Sequence, residues 1–322
     1  GAIVGTSAPN TENTFLCTDE AFRDFVLTYE FLCDKELNSG VQIRSECFDE
    51  PRRVTKGDFS TKIPAGRVHG YQVEIDPSDR RFTGGIYDES RRGWMYPLSR
   101  NEKGRNAFRN GAWNHFRVEA IGHSLRVWVN GTQTAALVDE VTAEGFIGLQ
   151  VHSIGSPDMA GRTVHWRKLR IMTDDLEANR TPRDPEVEEI SFLDNRLTDY
   201  ELRQGWRLLW DGETPDGWRG AKLDHFPGAG WTIKDGILTV EKTDGGESTG
   251  PGDIVTVDQF SNFDLQFDFR ITRGANSGVK YFVDAELNKA EGSAIGCEFQ
   301  VLDDQVHPDA KKGVNGNRTV SS

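Results

Sequence analysis

Glu30, Gln42, Arg44, Gln72, Glu74, Arg126, Trp128, Gln150 and His152 each take the non-apolar place in a segment that alternates apolar and polar residues. A face that only meets water carries assorted Lys, Glu, Ser and Thr. This set holds planar hydrogen-bonding groups, charges and an indole. Amides and guanidinium groups can grip neighbouring hydroxyls two at a time, an indole can cover the apolar face of a pyranose, and carboxylates or an imidazole can move protons. The combination suits a sugar, with Glu74, His152 and Glu30 as acid–base candidates and Gln42, Arg44, Gln72, Arg126, Trp128 and Gln150 as binding groups. A merely solvated face is the competing reading for each residue taken singly.

The segments that must position these groups are strands. Phe25, Leu27, Tyr29 and Phe31 point one way, and Val26, Thr28, Glu30 and Leu32 the other. Val41 and Ile43 alternate with Gln42 and Arg44, and Val73 and Ile75 with Gln72 and Glu74. Leu125, Val127 and Val129 alternate with Arg126 and Trp128, and Leu149 and Val151 with Gln150 and His152. Asn130-Gly131 and Pro77-Ser78-Asp79 supply turns, and 34 glycines, 18 phenylalanines and eight tryptophans fit an all-β chain. Two antiparallel sheets packed face to face are the expected architecture.

At 322 residues the chain suits two domains. Its 38 Lys and Arg against 51 Asp and Glu leave a net charge of -13, which repels phosphate backbones and anionic membranes, so nucleic acid is not an expected partner. No apolar run approaches the roughly 18 residues of a membrane span, and no basic-then-apolar signal segment opens the sequence. Cys17, Cys33, Cys47 and Cys297 have no C-x-x-C spacing, which argues against a zinc site and a disulfide framework. Without G-x-S-x-G, H-E-x-x-H or a phosphate loop, serine-hydrolase, zincin and nucleotide chemistries fall away.

The chain also repeats itself. Phe22–Phe31 matches Phe260–Phe269, and LNSGV at Leu37 matches ANSGV at Ala275 in the same register. GAIVG at the start answers GILTV at Gly236, and Gly70–Ile75 answers Gly296–Val301. Asp268, Lys280, Glu298 and Gln300 thereby answer Glu30, Gln42, Gln72 and Glu74. LDDQVHPDAKKG adds His307 beside Asp303, Asp304, Lys311 and Lys312, a loop that could position substrate or bind a cation such as calcium; it lacks EF-hand spacing, and an ordinary solvated loop reads equally well. No other cofactor is indicated. The expected organisation is a first sandwich at 1–172 lacking its opening strand, a linker at 173–204, and a second sandwich at 205–322 cut short at its end. TDDLEANRTPRDPEVEEI has linker composition, and Thr198-Asp-Tyr-Glu201 has the spacing of a capping box that starts a short helix over 199–204. Arg318–Ser322 lines up with Arg81–Gly85, which reads as a fragment.

FLCTDEAFRDFVLTYEF, LNSGVQIRS, GYQVEID, GGIYDE, GAWNHFRVEAIGHSLRVWVNG, GFIGLQVHS and VHWRKLRI, with WDGETPDGW and CEFQVLDDQVHPDAKKGVNGNRT, resemble the 3-keto-disaccharide hydrolase family. The resemblance covers nearly all of the chain outside the linker. It implies two tandem concanavalin A-like jelly-roll β-sandwiches, a secreted or periplasmic bacterial setting, and action on glycosides, including sugars oxidised at C3. A ketone at C3 acidifies the proton on C2, so Glu74 or His152 could remove it and expel the C1 substituent by elimination, after which water adds back. Arg44 and Gln72 would orient the sugar and Trp128 would stack on it. The rival enzyme is a two-carboxylate glycosidase using Glu30 and Glu74. A pair of lectin-like binding modules without turnover is the alternative of a different class, favoured if Glu30, Glu74 and His152 point to different faces.

Overall fold

The computed structural model describes residues 1–57, 59–242, 252–287 and 294–311. The chain divides into two compact units, Gly1–Trp206 and Arg207–Ser322. Lys312 and the Arg318–Ser322 match lie outside the described residues.

The first unit holds β1 (Ile3–Thr6), β2 (Thr14–Cys17), β3 (Phe25–Cys33), β4 (Ser39–Cys47), β5 (Arg52–Lys56), β6 (Phe59–Ile63), β7 (Val68–Ile75), β8 (Ile86–Glu89) and β9 (Gly93–Tyr96). After a short helix α1 (Glu102–Arg105) come β10 (Asn114–Ile121), β11 (Ser124–Val129), β12 (Thr132–Val138), β13 (Phe146–Val151), β14 (Thr163–Met172) and β15 (Ile190–Ser191). Seven strands form one sheet in the order β1-β14-β3-β10-β11-β12-β15, and six form the other as β2-β13-β4-β7-β8-β9. The apolar registers read from the sequence meet between them: Phe25, Leu27, Tyr29, Phe31, Val41, Ile43, Val73, Ile75, Val127 and Leu149 belong to one buried cluster. Tyr29 stacks on Phe116 with ring centroids 4.9 Å apart, and Phe31 tilts against Trp166 at 5.7 Å. Each such side chain contributes about 1.5–3 kcal/mol by leaving water. Asn130 and Gly131 both adopt left-handed backbone angles, as a tight turn between β11 and β12 requires.

Residues 173–204 are not a free linker. Their middle crosses the outer face of the seven-stranded sheet and ends as its edge strand, β15 lying parallel to β12. Side chains on that face hold it down: Glu119 accepts from the Thr181 amide (2.7 Å), Gln133 from the Asp184 amide (2.8 Å), and Arg117 donates to the Asn179 carbonyl (2.6 Å). Val187 enters the core. Polar composition marked a linker, but here the polar groups bond to a polar sheet face. The expected helix forms as α2 (Asp199–Arg203), with both capping-box bonds made between Thr198 and Glu201.

In the second unit the described strands form three two-stranded ladders: β16 (Trp218–Gly220) with β19 (Ile254–Thr256), β17 (Trp231–Lys234) with β18 (Ile237–Val240), and β20 (Asn276–Asp284) with β21 (Ile295–Leu302). Phe263–Phe269, expected as the counterpart of β3, is not a strand. β3 is held by β10 and β14 on its two sides, and the second unit has no counterpart of either among its described residues; Phe263, Phe267 and Phe269 are exposed. Strand propensity without a ladder partner leaves no strand.

The β20–β21 ladder nonetheless reproduces β4–β7. Gly40 faces Glu74 and Gln42 faces Gln72; Gly278 faces Gln300 and Lys280 faces Glu298. A bulge follows in each, between Ile43 and Glu46 and between Tyr281 and Asp284. The matching residues Arg44 and Phe282 both take positive φ there, 45° and 53°. A side chain at Gly40 would collide with that of Gln72, and one at Gly278 with that of Glu298.

Candidate functional site on the six-stranded sheet

Residues paired across a ladder share a face, so register sorts the candidates. On the six-stranded sheet Gln150 pairs with Gly40, Gly40 with Glu74, Gln42 with Gln72, and Gln72 with Tyr87. Gln42, Gln72, Glu74 and Gln150 therefore share the outer face of that sheet, with His152 just beyond the end of β13. Glu30, Arg126 and Trp128 are also outward, but from the other sheet. They lie on the opposite side of the sandwich and join no site with Glu74. Glu30 receives hydrogen bonds from Arg167 (2.6 Å) and Lys168 (2.7 Å), which hold its carboxyl below the usual range. Trp128 is buried on the face that the 173–204 segment crosses, and Arg126 approaches Glu189 of that segment at 3.7 Å.

Arg44 departs for a different reason. The bulge and its positive φ turn the side chain out of the alternation, and it donates to the Arg23 carbonyl (2.6 Å), the Gly122 carbonyl (2.8 Å) and Asp24 (2.8 Å). It ties the two sheets together at one end. The two-carboxylate pair and the stacking role of Trp128 are thus excluded by topology, and Arg44 is a structural clamp.

Glu74 is the focus of what remains. Asn38 Nδ2 donates to its Oε1 (2.6 Å) and Gln72 Nε2 to its Oε2 (2.9 Å). Gln42 Nε2 donates to Gln72 Oε1 (2.7 Å), and the Ser45 hydroxyl to Gln42 Oε1 (2.7 Å). Every donor in this row points toward the carboxyl. Burial pushes Glu74 up to about 7, although Asn38 and Gln72 stabilise the charged form and pull it down. A carboxyl poised there exchanges protons at neutral pH. Ser45, itself buried, borders an open cleft of about 910 Å³ that Phe146 and several carboxylates line.

The β13–β4–β7 part of the outer face is covered, with Gln42, Gln72, Glu74 and Gln150 all buried, whereas Tyr87, Glu89 and Trp94 on β8 and β9 stay partly open. β2 and β7 are antiparallel in sense and three strands apart, so their starts lie at opposite ends of the sheet. Yet Glu12, before β2, pairs with Arg67, before β7, at 3.5 Å. With the inner face filled by the core, this pair spans the outer one. Glu89, at the end of β8, is raised by burial, and His152 is among the groups that pull it back. His152 Nδ1 lies 2.6 Å from the Ser153 carbonyl, which requires the proton on Nδ1. Beneath these contacts Gln150 is fully buried and neither polar atom of its amide has a partner.

Sequence reading missed Asn38, Arg80, Tyr87, Glu89 and Trp94. Tyr87 and Glu89 alternate with Ile86 and Asp88 within GGIYDE, and that alternation is the signal that could have found them. Trp94 pairs with Tyr87 and so joins the same face. In the second unit, Lys280 bonds to Asp253 (2.8 Å) and to the Ala294 carbonyl (3.2 Å), and Gln300 donates to the Ser277 carbonyl (2.8 Å). Asp268 is exposed, and His307 Nδ1 accepts from the Asp309 amide. Asp303 accepts from the Gln305 amide in its own turn and from the distant Gly274 amide. No group of three His, Cys, Asp or Glu among the described residues is arranged to hold a metal ion. Nor is any helix among them long and apolar enough to cross a membrane.

A 3-keto-disaccharide hydrolase of Bacteroides thetaiotaomicron is 35% identical over 128 residues, 37% of this chain and 44% of the relative; the chain spans less than half the length of that protein. Among solved structures, a carbohydrate binding module, CBM66, from Bacillus subtilis matches at 12% identity over 50% of this chain and 81% of its own, with a TM-score of 0.33. A putative glycosyl hydrolase from Parabacteroides distasonis matches at 17% identity over 50% and 84%, with a TM-score of 0.32. The sequence model of the 3-keto-alpha-glucoside-1,2-lyase-like domain matches residues 1–172 and 205–319, and the chain belongs to that family.

Proposed function

We propose that the first unit acts on glycosides oxidised at C3, with Glu74 as the general base. The observation that carries this reading is the buried Glu74 carboxyl, raised to about 7 at the end of a row of amide donors. In its charged form it takes the C2 proton; the C–H pair forms the C2–C3 double bond and the ketone pair moves onto O3. Collapse of that enolate expels the C1 substituent, which is protonated by His152 or water, and water then adds hydroxide to C1 and a proton to C2. Gln42 and Gln72 align the donor row on Glu74, and Gln150, whose buried amide has no partner, offers its amide to a sugar hydroxyl. The family membership and the name of the B. thetaiotaomicron relative support a carbohydrate substrate. The shared register of β4–β7 and β20–β21 supports reading the units as tandem copies, the second with Lys280 and Glu298 where the first has two glutamines.

The test is turnover of 3-keto-glucosides and their unoxidised parents, with and without chelator, by wild type, Glu74→Gln and His152→Ala. Turnover of the keto class by wild type, lost in Glu74→Gln, is the expected result. The divergence of Glu30 from Glu74 favours a second reading, lectin-like binding; sugar binding with turnover of neither class would decide for it and against the hydrolase.

A further inference from the structure

The backbone of Glu74 lies between two glycines. Gly40 faces it on β4, and the space above that glycine is filled by the Gln72 side chain. On the other side the Glu74 amide donates to the Gly85 carbonyl (3.0 Å). A Cβ at Gly85 would sit 2.7 Å from the Tyr96 carbonyl oxygen and 3.3 Å from Cζ3 of Trp94. The edge of the indole therefore packs over Gly85, the backbone neighbour of Glu74 on β8's side. Phe82 and Tyr87 hold it edge-on, with centroids at 5.0 and 5.3 Å, while it stays half-buried. The Arg80 guanidinium lies 5.7 Å from the centroid of the Trp94 ring and the same distance from that of Phe82. Asp76 holds its Nε (3.0 Å), and its two terminal amino groups donate to no acceptor among the described residues. Arg80 also reaches Glu74 electrostatically, one of the groups that lower its pKa. Neither Arg44 nor Arg126 can supply a cation here, and Trp128 cannot supply a ring.

We propose that Trp94 and Arg80 form the sugar subsite next to Glu74: the indole carries the apolar face of the pyranose, and the Arg80 terminal amino groups donate to O3 as negative charge gathers on it. The inference rests on the reading of Glu74 as the base. Proton removal from C2 sends the ketone electron pair to O3, and a fixed cation beside that oxygen stabilises the charge without gaining or losing a proton. The half-exposed placement of both side chains allows their replacement without emptying the core.

The experiment is steady-state kinetics on a 3-keto-glucoside with Trp94→Phe, Trp94→Ala, Arg80→Lys and Arg80→Gln, alongside Glu74→Gln. Trp94→Ala raises KM about 10-fold with Trp94→Phe between it and wild type, consistent with ring-stacking magnitudes. Arg80→Gln lowers kcat about 10²-fold, Arg80→Lys less, and the acidic-limb pKa assigned to Glu74 moves upward in Arg80→Gln because a positive neighbour has gone. If Glu74→Gln abolishes turnover while the Trp94 and Arg80 variants keep wild-type kcat, KM and pH profile, the subsite is overturned and the base assignment stands. If Glu74→Gln retains turnover, the base assignment and the subsite built on it both fail.

Discussion

Replacing Glu74 by Gln tests the energetic premise of the site without any substrate. Holding a carboxyl at about 7 instead of its ordinary 4.5 makes its ionisation cost about 3 kcal/mol in the folded chain. The folded state binds the proton more tightly than the unfolded one, so the cost is absent below about pH 4.5, grows as pH rises, and is complete above about pH 7. Glu74→Gln removes it. The variant also turns an amide toward the Asn38 and Gln72 donors, a loss of about 1–2 kcal/mol that does not vary over this pH range. The diagnostic quantity is therefore the change with pH: relative to wild type, Glu74→Gln gains about 3 kcal/mol between pH 4.5 and pH 8. In a unit the size of Gly1–Trp206 that corresponds to roughly 6–12 °C in Tm, read by calorimetry at several pH values. Wild-type and variant curves that stay parallel from pH 4.5 to 8 would falsify the claim that Glu74 is held near neutrality by burial.

Three further outcomes separate structural from functional groups. Trp128→Ala should cost about 3–5 kcal/mol of stability through the cavity it leaves, yet leave sugar affinity by titration calorimetry unchanged, because the ring is buried on the face opposite Glu74. Arg44→Met should lower the urea midpoint by an amount equivalent to about 3 kcal/mol, since two carbonyls and Asp24 lose their donor; an unchanged midpoint would contradict the clamp. Arg67→Glu sets like charges against Glu12 and should speed amide hydrogen exchange around Gln150–Ser153, with Glu12→Arg in the same chain restoring protection; equal exchange in all three proteins would show that the pair does not cover the face.

Much of the first unit was legible in its residues. The alternation in β3, β4, β7, β11 and β13 named the core side correctly, and the Thr198–Glu201 spacing marked a helix start that forms with both expected bonds. The repeated Asn-Ser-Gly-Val also marked two strands whose pairings share a register, β4 with β7 and β20 with β21, each with its glycine opposite an outward polar residue. Three things were not legible. Arg44 was counted as outward because strict alternation was carried through a bulge whose positive φ breaks it. The 173–204 segment was read as linker because its composition is polar, whereas Glu119 and Gln133 on the sheet give its backbone amides their partners. Phe263–Phe269 has the sequence of β3 without the neighbours that would make it a strand.

Glu30 and Glu74 mark the boundary most clearly. The sequence alone determined that both point away from the apolar interior, because facing in a pleated strand is a local property that repeats every second residue. Only the tertiary structure decided that they point away in opposite directions, since strand pairing across long sequence separations assigns β3 to one sheet and β7 to the other. The same pairing brought Gly85 beside Glu74 and laid Trp94 over it, a neighbourhood that no spacing along the chain records.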